Sequence, residues 1–297
     1  MKKIVLATTF CSVLFGLQNN ENVLKNTLNT KDIKDKKAKK YIDEWSSEKF
    51  GLKPYRPNYL LPFGYTSHNY KEYTPTDGEY KNVEAEFQVS FKLLFYKNLF
   101  GQNEKYYASY TQRSFWQLYI ESSPFRESNY NPEIFVIFPM GDKEVYGLKT
   151  LEFGYSHHSN GQGNIDKTDN ADQYPNLYNR SRSINKLYTK FTFQHGSLIW
   201  DLNLWTRIGN LEDNPDIMDY YGYGSIHTMY FYKKSLFDLT FRLNPIKLKG
   251  ALEFSYSYPT FIDGVYLYTK IFTGYGESLI DYNTNLTKYS VGISFSR

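Results

Sequence analysis

The chain has 297 residues, 22% of them charged, and a formal net charge of +4, so its charge balance carries no footprint of a nucleic-acid partner. Aromatic residues reach 19%, with 30 Tyr and 22 Phe, while the mean hydropathy is polar at -0.59. Beyond the N-terminus no run reaches 18 apolar residues, which excludes transmembrane helices, and a single cysteine, Cys11, excludes an intrachain disulfide or a cysteine-built zinc site. A soluble globule would have to bury or display all those rings. A polar, β-rich, tyrosine-rich chain has the composition of an outer-membrane barrel.

In chain order, Lys2 and Lys3 precede an apolar run from Ile4 to Leu17, too short to span a bilayer. A basic start followed by such a run reads as a secretory signal, over residues 1–18. Residues 19–49 are polar and rich in lysine, Lys31 to Lys40 above all, and read as a solvated periplasmic extension, partly helical. From about Phe50 to the end the sequence alternates with period two. Val83, Ala85, Phe87, Val89, Phe91, Leu93 and Phe95 are apolar, with Glu84, Glu86, Gln88, Ser90 and Lys92 between them. A run of that length fits a tilted membrane strand better than a strand of a soluble sheet. The pattern recurs at Leu198–Leu204, Phe237–Leu243, Leu252–Tyr258 and Tyr289–Phe295. About eleven segments are countable, and bacterial barrels take even numbers, so the expectation is all-β: a transmembrane antiparallel barrel of twelve strands over residues 50–297. The missing strand is expected near Tyr55–Tyr65 or Tyr275–Tyr282. Inward positions carry Glu, Lys, Gln, Asp and Arg, which gives a filled polar interior and disfavours a wide porin channel.

Parity also sorts the segment Leu151 to Gly161. Leu151, Phe153, Tyr155, His157 and Ser159 share the apolar, lipid-facing side, while Glu152, Gly154, Ser156 and His158 point inward. In the next segment Asn185, Leu187, Thr189, Phe191 and Phe193 form the outward face. A His, a Ser and an Asn thus fall on the face where polar groups are costly. Ser–His–Asn is a workable nucleophile, base and orienter, and an interfacial hydrogen-bond girdle explains the same residues without chemistry. An i, i+2 spacing also strains a direct Ser–His contact.

The run His157-His158-Ser159-Asn160-Gly161, followed by Ser181-Arg182-Ser183-Ile184-Asn185-Lys186-Leu187-Tyr188, resembles the outer-membrane phospholipase A family. Tyr110-Thr111-Gln112 with Trp116-Gln117, Ser122 to Glu127, Asp213 to Ile217, and Gly274 to Asn283 are similar to it as well, in the same order. The resemblance implies a twelve-stranded barrel in the bacterial outer membrane with its active site on the outer wall. It implies calcium-dependent hydrolysis of the sn-1 and sn-2 acyl esters of phospholipids and lysophospholipids, activated when two copies form a homodimer. Carried over by motif, Ser159 is the nucleophile, His157 the base and then the acid, Asn185 the orienter, and the Gly161 N–H an oxyanion donor. Calcium, Ca2+, would be held by the Ser181 hydroxyl, the Gln162 carbonyl and the Ser122 carbonyl of a second copy. Gln112 corresponds to the family's interface glutamine. The bland alternative for Gln112 is a hydrogen bond within its own sheet.

Two features depart from the family pattern, and the chain's ending departs from that of barrel proteins in general. Ser159 and Asn185 stand 26 positions apart, and the added residues around Asn164–Asn179 carry Asp166, Asp169 and Asp172. They read as a solvent loop, with a second calcium contact as the alternative. Ile184 replaces a Trp, and the chain ends Phe295-Ser296-Arg297 rather than on an aromatic residue. Asp213 either helps to hold calcium or caps a loop. The competing function is a structural or transport barrel that has kept the fold and lost the chemistry.

Overall fold

The computed structural model describes residues 28–46, 51–68, 70, 80–140, 146–164, 179–209 and 212–296. The signal segment 1–18 and most of the Asn164–Asn179 insertion lie outside these residues. A helix, α1 (Lys36–Ser46), precedes β1 (Leu52–Pro54), β2 (Tyr59–Thr66), β3 (Val83–Lys97), β4 (Lys105–Trp116), β5 (Phe125–Pro139), β6 (Leu148–Ser159), β7 (Ser183–His195) and β8 (Leu198–Ile208). A short helix, α2 (Ile217–Tyr221), leads to β9 (Gly224–Tyr232), β10 (Ser235–Asn244), β11 (Lys249–Pro259), β12 (Tyr266–Gly274) and β13 (Leu286–Ser294).

Each strand pairs antiparallel with its sequence neighbours, and β13 pairs with β2, so the sheet closes on itself. β1 and β2 lie on the same edge of β3, with Leu52 opposite Leu93 and Tyr59 opposite Gln88, so together they form one interrupted stave of twelve. The strand missing from the sequence pattern is therefore at Tyr59–Thr66, whereas 275–285 is a loop. Its interruption has a local cause. Pro54 and Pro57 have no N–H for the ladder, and Tyr55–Asn58 face only Val89 and Ser90 across the pair. The excess chain turns into the barrel. Tyr55 stacks on Phe135 at 5.4 Å, and Arg56 Nη2 donates to Glu133 Oε2 at 2.9 Å. Asn58 stitches the gap, accepting from the Ser90 N–H at 2.6 Å and donating to its carbonyl at 3.1 Å.

The two-residue period holds as the pattern predicts. On β3, Glu84, Glu86, Ser90 and Lys92 are buried inside, while Val89 and Phe95 are exposed outward. Inside, four carboxylates face four cations. Glu84 binds Arg126 at 2.9 Å and Lys288 at 2.7 Å; Glu86 binds Arg113 at 2.6 Å and also Lys270; Lys288 reaches Glu277 at 3.0 Å; and Arg126 holds Asp281. Buried charges survive only when paired, and this network pairs them across six segments of chain.

The lysine-rich extension is not solvated throughout. Leu28, Ile33, Ala38 and Ile42 form one apolar face packed on the inward residues Ile199, Phe231 and Leu236 at the end of the barrel that carries the two-residue turns. The Asn29 N–H donates to Gln194 Oε1 at 2.7 Å, and Lys37 pairs with Asp263 at 2.9 Å. The lysines between these apolar positions mask the stripe in the sequence. The opposite end carries the long connections, including 160–182, 209–223 and 275–285, and the strand ends that hold the candidate site.

Glu84→Ala leaves Arg126 and Lys288 buried without their shared carboxylate. It should cost about 3–5 kcal/mol, read as a lower denaturation midpoint in guanidinium.

Candidate active site

β6 and β7 pair so that His157 lies directly opposite Asn185, and Ser159 opposite Ser183. Directly opposed residues on one face are close enough for short side chains to touch. His157 Nδ1 lies 2.7 Å from Asn185 Oδ1, and the Tyr155 hydroxyl donates to the same oxygen at 2.8 Å. An amide oxygen only accepts, so in the neutral ring this contact selects the tautomer with the proton on Nδ1 and the lone pair on Nε2. His157, Ser159 and Asn185 lie on the outer face among lipid-facing residues: Ile134 on β5 is 52% exposed and Leu187 on β7 is 48% exposed. His158 and Lys186, next in sequence to His157 and Asn185, line the barrel interior instead. Among the described residues Ser159 Oγ has no hydrogen-bond partner, as the i, i+2 spacing along a strand leads one to expect; such contacts commonly tighten only with substrate bound.

Beyond β6 the chain turns sharply at Gly161, with φ +64, where a Cβ would meet the Tyr130 ring at 2.9 Å. Glycine is required there both for its φ and for its lack of a side chain. Two buried asparagines hold the returning segment. Asn160 accepts from the Arg182 N–H at 3.1 Å and donates to the Arg180 carbonyl at 2.8 Å. Asn214 bonds both the N–H and the carbonyl of Ser183, at 3.0 and 2.9 Å, as a neighbouring strand would. Gln162 and Ser181 are drawn together through Arg180, whose Nε donates to Gln162 Oε1 at 2.8 Å. Asn164 Oδ1 accepts the N–H groups of Arg180 and Ser181, and its amide donates to Asp213 at 2.8 Å. Ser122 stands apart in the β4–β5 loop with a φ of 60. Gln112 faces outward on β4, accepting from the Tyr110 hydroxyl at 3.1 Å and donating to Ser114 Oγ at 3.1 Å.

The remaining motifs form a latch across the mouth of the barrel. The Leu279 N–H donates to Asn129 and the Ile280 N–H to Glu127, while Arg126 holds Asp281. Tyr282 donates to Asp216, and burial, reinforced by that bond, holds its phenol well above the usual range and so keeps the proton in place. These residues join loop 275–285 to β5 and α2 and support the wall that carries His157 and Asn185.

The phospholipase A1 family model matches residues 36–295. The chain belongs to the phospholipase A1 family. A Salmonella typhimurium phospholipase A1 is 38% identical over 250 residues, covering 82% of this chain and 81% of the relative. A solved Salmonella typhi outer membrane phospholipase dimer with bound calcium superposes with a TM-score of 0.73 at 37% identity, covering 83% of this chain and 93% of that one. The outer membrane phospholipase A of Escherichia coli gives 0.73 at 37% identity, over 82% and 98%. Family membership and the closed barrel make the chain a phospholipase seated in the bacterial outer membrane.

The roles of two members of the site were not legible in the sequence pattern. Tyr155 reads as one more outward aromatic, and its hydroxyl contact with Asn185 depends on the pairing register. Asn214 comes from a loop 31 positions beyond Ser183. Asn214→Ala strips two backbone groups of their partner and should cost about 1–3 kcal/mol, measured as a lower thermal midpoint by circular dichroism.

Proposed function

We propose that the chain hydrolyses the sn-1 and sn-2 acyl esters of phospholipids and lysophospholipids on the outer wall of the barrel, with Ser159, His157 and Asn185 as the catalytic residues. The observation that carries this reading is the His157–Asn185 bond of 2.7 Å on the lipid-exposed face, one strand pleat from Ser159. A hydrogen-bond girdle needs no fixed imidazole tautomer and no serine beside it. In the reading proposed here, His157 Nε2 takes the proton of Ser159 Oγ as that oxygen attacks the acyl carbonyl, then returns it to the departing glycerol oxygen. Asn185 holds the ring and, being neutral, avoids an ionised carboxylate against hydrocarbon. The Gly161 N–H donates to the developing oxyanion. A water activated by His157 then releases the fatty acid from Ser159.

The oxygen groups at the mouth suit calcium. Among the described residues no three His, Cys, Asp or Glu side chains gather as a metal site, so the donors would be hydroxyl and carbonyl oxygens. The Ser181 hydroxyl and the Gln162 main-chain carbonyl have no hydrogen-bond partner among the described residues, and Asp213 adds a negative charge nearby. Ser122, which lies apart from them, would come from a second copy. Calcium, when bound, supplies positive charge beside the oxyanion. Gln112 uses one N–H and one lone pair within its own strand, which leaves one of each for a second barrel. Homodimerisation through this face would bring the second Ser122 into place.

Fatty-acid release from phospholipid in mixed micelles should be strong with excess calcium and fall to background with chelator. Ser159→Ala should lose at least about a thousandfold in kcat while keeping the folded barrel. Unchanged hydrolysis in that variant would overturn the assignment of the nucleophile. No hydrolysis by the folded, calcium-saturated parent would leave the structural-barrel reading.

A further inference from the structure

Behind the catalytic wall the lumen holds a cavity of about 450 Å³. Its floor is made by α1 and its partners, with Leu28, Ile42, Ile199, Met229 and Phe231 all lining it. Most charges on its walls are matched. Arg56 bonds Glu133 at 2.9 Å, Lys190 bonds Glu152 at 2.9 Å, and Arg113 bonds Glu86 at 2.6 Å. His227 lies between Asp201 at 3.2 Å and Asp238 at 2.8 Å.

Three groups near the mouth are not matched. Lys186 Nζ lies over the Trp205 ring at 5.1 Å, and among the described residues no carboxylate stands within 4.0 Å of it. Glu133, which acts on it electrostatically, is already held by Arg56. Arg242 gives one N–H to the Tyr275 carbonyl at 2.7 Å and lies 4.1 Å over the Tyr221 ring, which leaves its buried Nε without a partner. The His158 ring, which also lines the cavity, has no hydrogen-bond partner among the described residues, and Lys186, Arg56 and Arg242 all act on it electrostatically. Lys186 without an ion pair, Arg242 answered only across space by Glu253, and an idle imidazole line one polar space, and such buried charges are costly unless an anion joins them.

We propose that the upper end of this cavity binds a small free oxyanion of the phosphate class, with Lys186 and Arg242 supplying charge and His158 an N–H donor. The site lies on the reverse face of the two strands that carry His157 and Asn185, because His158 and Lys186 follow them with opposite parity. α1 below and loop 275–285 above cross the two ends of the lumen, so a free ion fits where a headgroup tethered to acyl chains does not. The assignment does not depend on the catalytic reading, and its test reads binding rather than hydrolysis.

The full-length protein, calcium-free in a nonionic maltoside detergent, is titrated with inorganic phosphate at constant ionic strength and followed by isothermal calorimetry. Saturable one-site binding is expected, with a rise in thermal midpoint over equal chloride. Lys186→Met and Arg242→Gln should each weaken it about tenfold or more. Without phosphate, Lys186→Met should unfold at a higher temperature than the parent, since it removes an uncompensated charge; a residue retained only for packing on Trp205 would do the reverse. Phosphatidylcholine carried in the same micelles, whose headgroup is tethered to acyl chains, should neither bind there nor compete. Absence of saturable phosphate binding, or binding by both variants equal to the parent's, overturns the site. Competition by phosphatidylcholine overturns its assignment to a free ion.

Discussion

In hydrocarbon every backbone N–H and C=O must find its partner within the protein, and a closed antiparallel sheet is the strand-built way to achieve this. Closure has a second effect. Each residue of each stave must face either lipid or lumen, and one residue's shift in register would exchange the two. The rest of the molecule follows from that sorting. Inside, the charges of Glu84, Glu86, Glu277 and Asp281 meet those of Arg113, Arg126, Lys270 and Lys288. Outside, His157, Ser159 and Asn185 stand where their neighbours are Ile134 and Leu187.

The inner network and the outer site are mechanically connected. Arg126, Glu127 and Asn129 on β5 hold loop 275–285 across the mouth, and Tyr282 from that loop holds Asp216 beside Asn214. Asn214 in turn bonds Ser183, two residues before Asn185. The chain therefore fixes the start of β7 along its ladder edge, while the face that uses it looks toward lipid. Motifs scattered over the sequence, from Ser122–Glu127 to Gly274–Asn283, prove to be parts of one latch.

Much of this was legible because the barrel obeys a single period. The long alternating run of β3 gives its own inward and outward faces, and the same parity places His157 with Ser159 and turns His158 away. The first stave escapes because Pro54 and Pro57 break its ladder and Tyr55–Asn58 fold inward, so no alternation survives to be counted. α1 escapes for a different reason. Its buried positions Ala38 and Ile42, and Ile33 just ahead of it, are separated by lysines dense enough to look like a solvated run. Tyr155 and Asn214 needed the third dimension, since one depends on pairing register and the other on a loop folding back over a strand.

The central claim is that the catalytic set faces the bilayer and not the lumen. The direct measurement is the collision accessibility of a nitroxide attached at Ser159→Cys, compared with one at His158→Cys, in the reconstituted barrel with Cys11 replaced. The account predicts that the Ser159 label relaxes with apolar oxygen and is shielded from a water-soluble nickel complex, while the adjacent His158 label is shielded from oxygen. A Ser159 label reached by the nickel complex and not by oxygen would place the serine in the lumen and contradict the account.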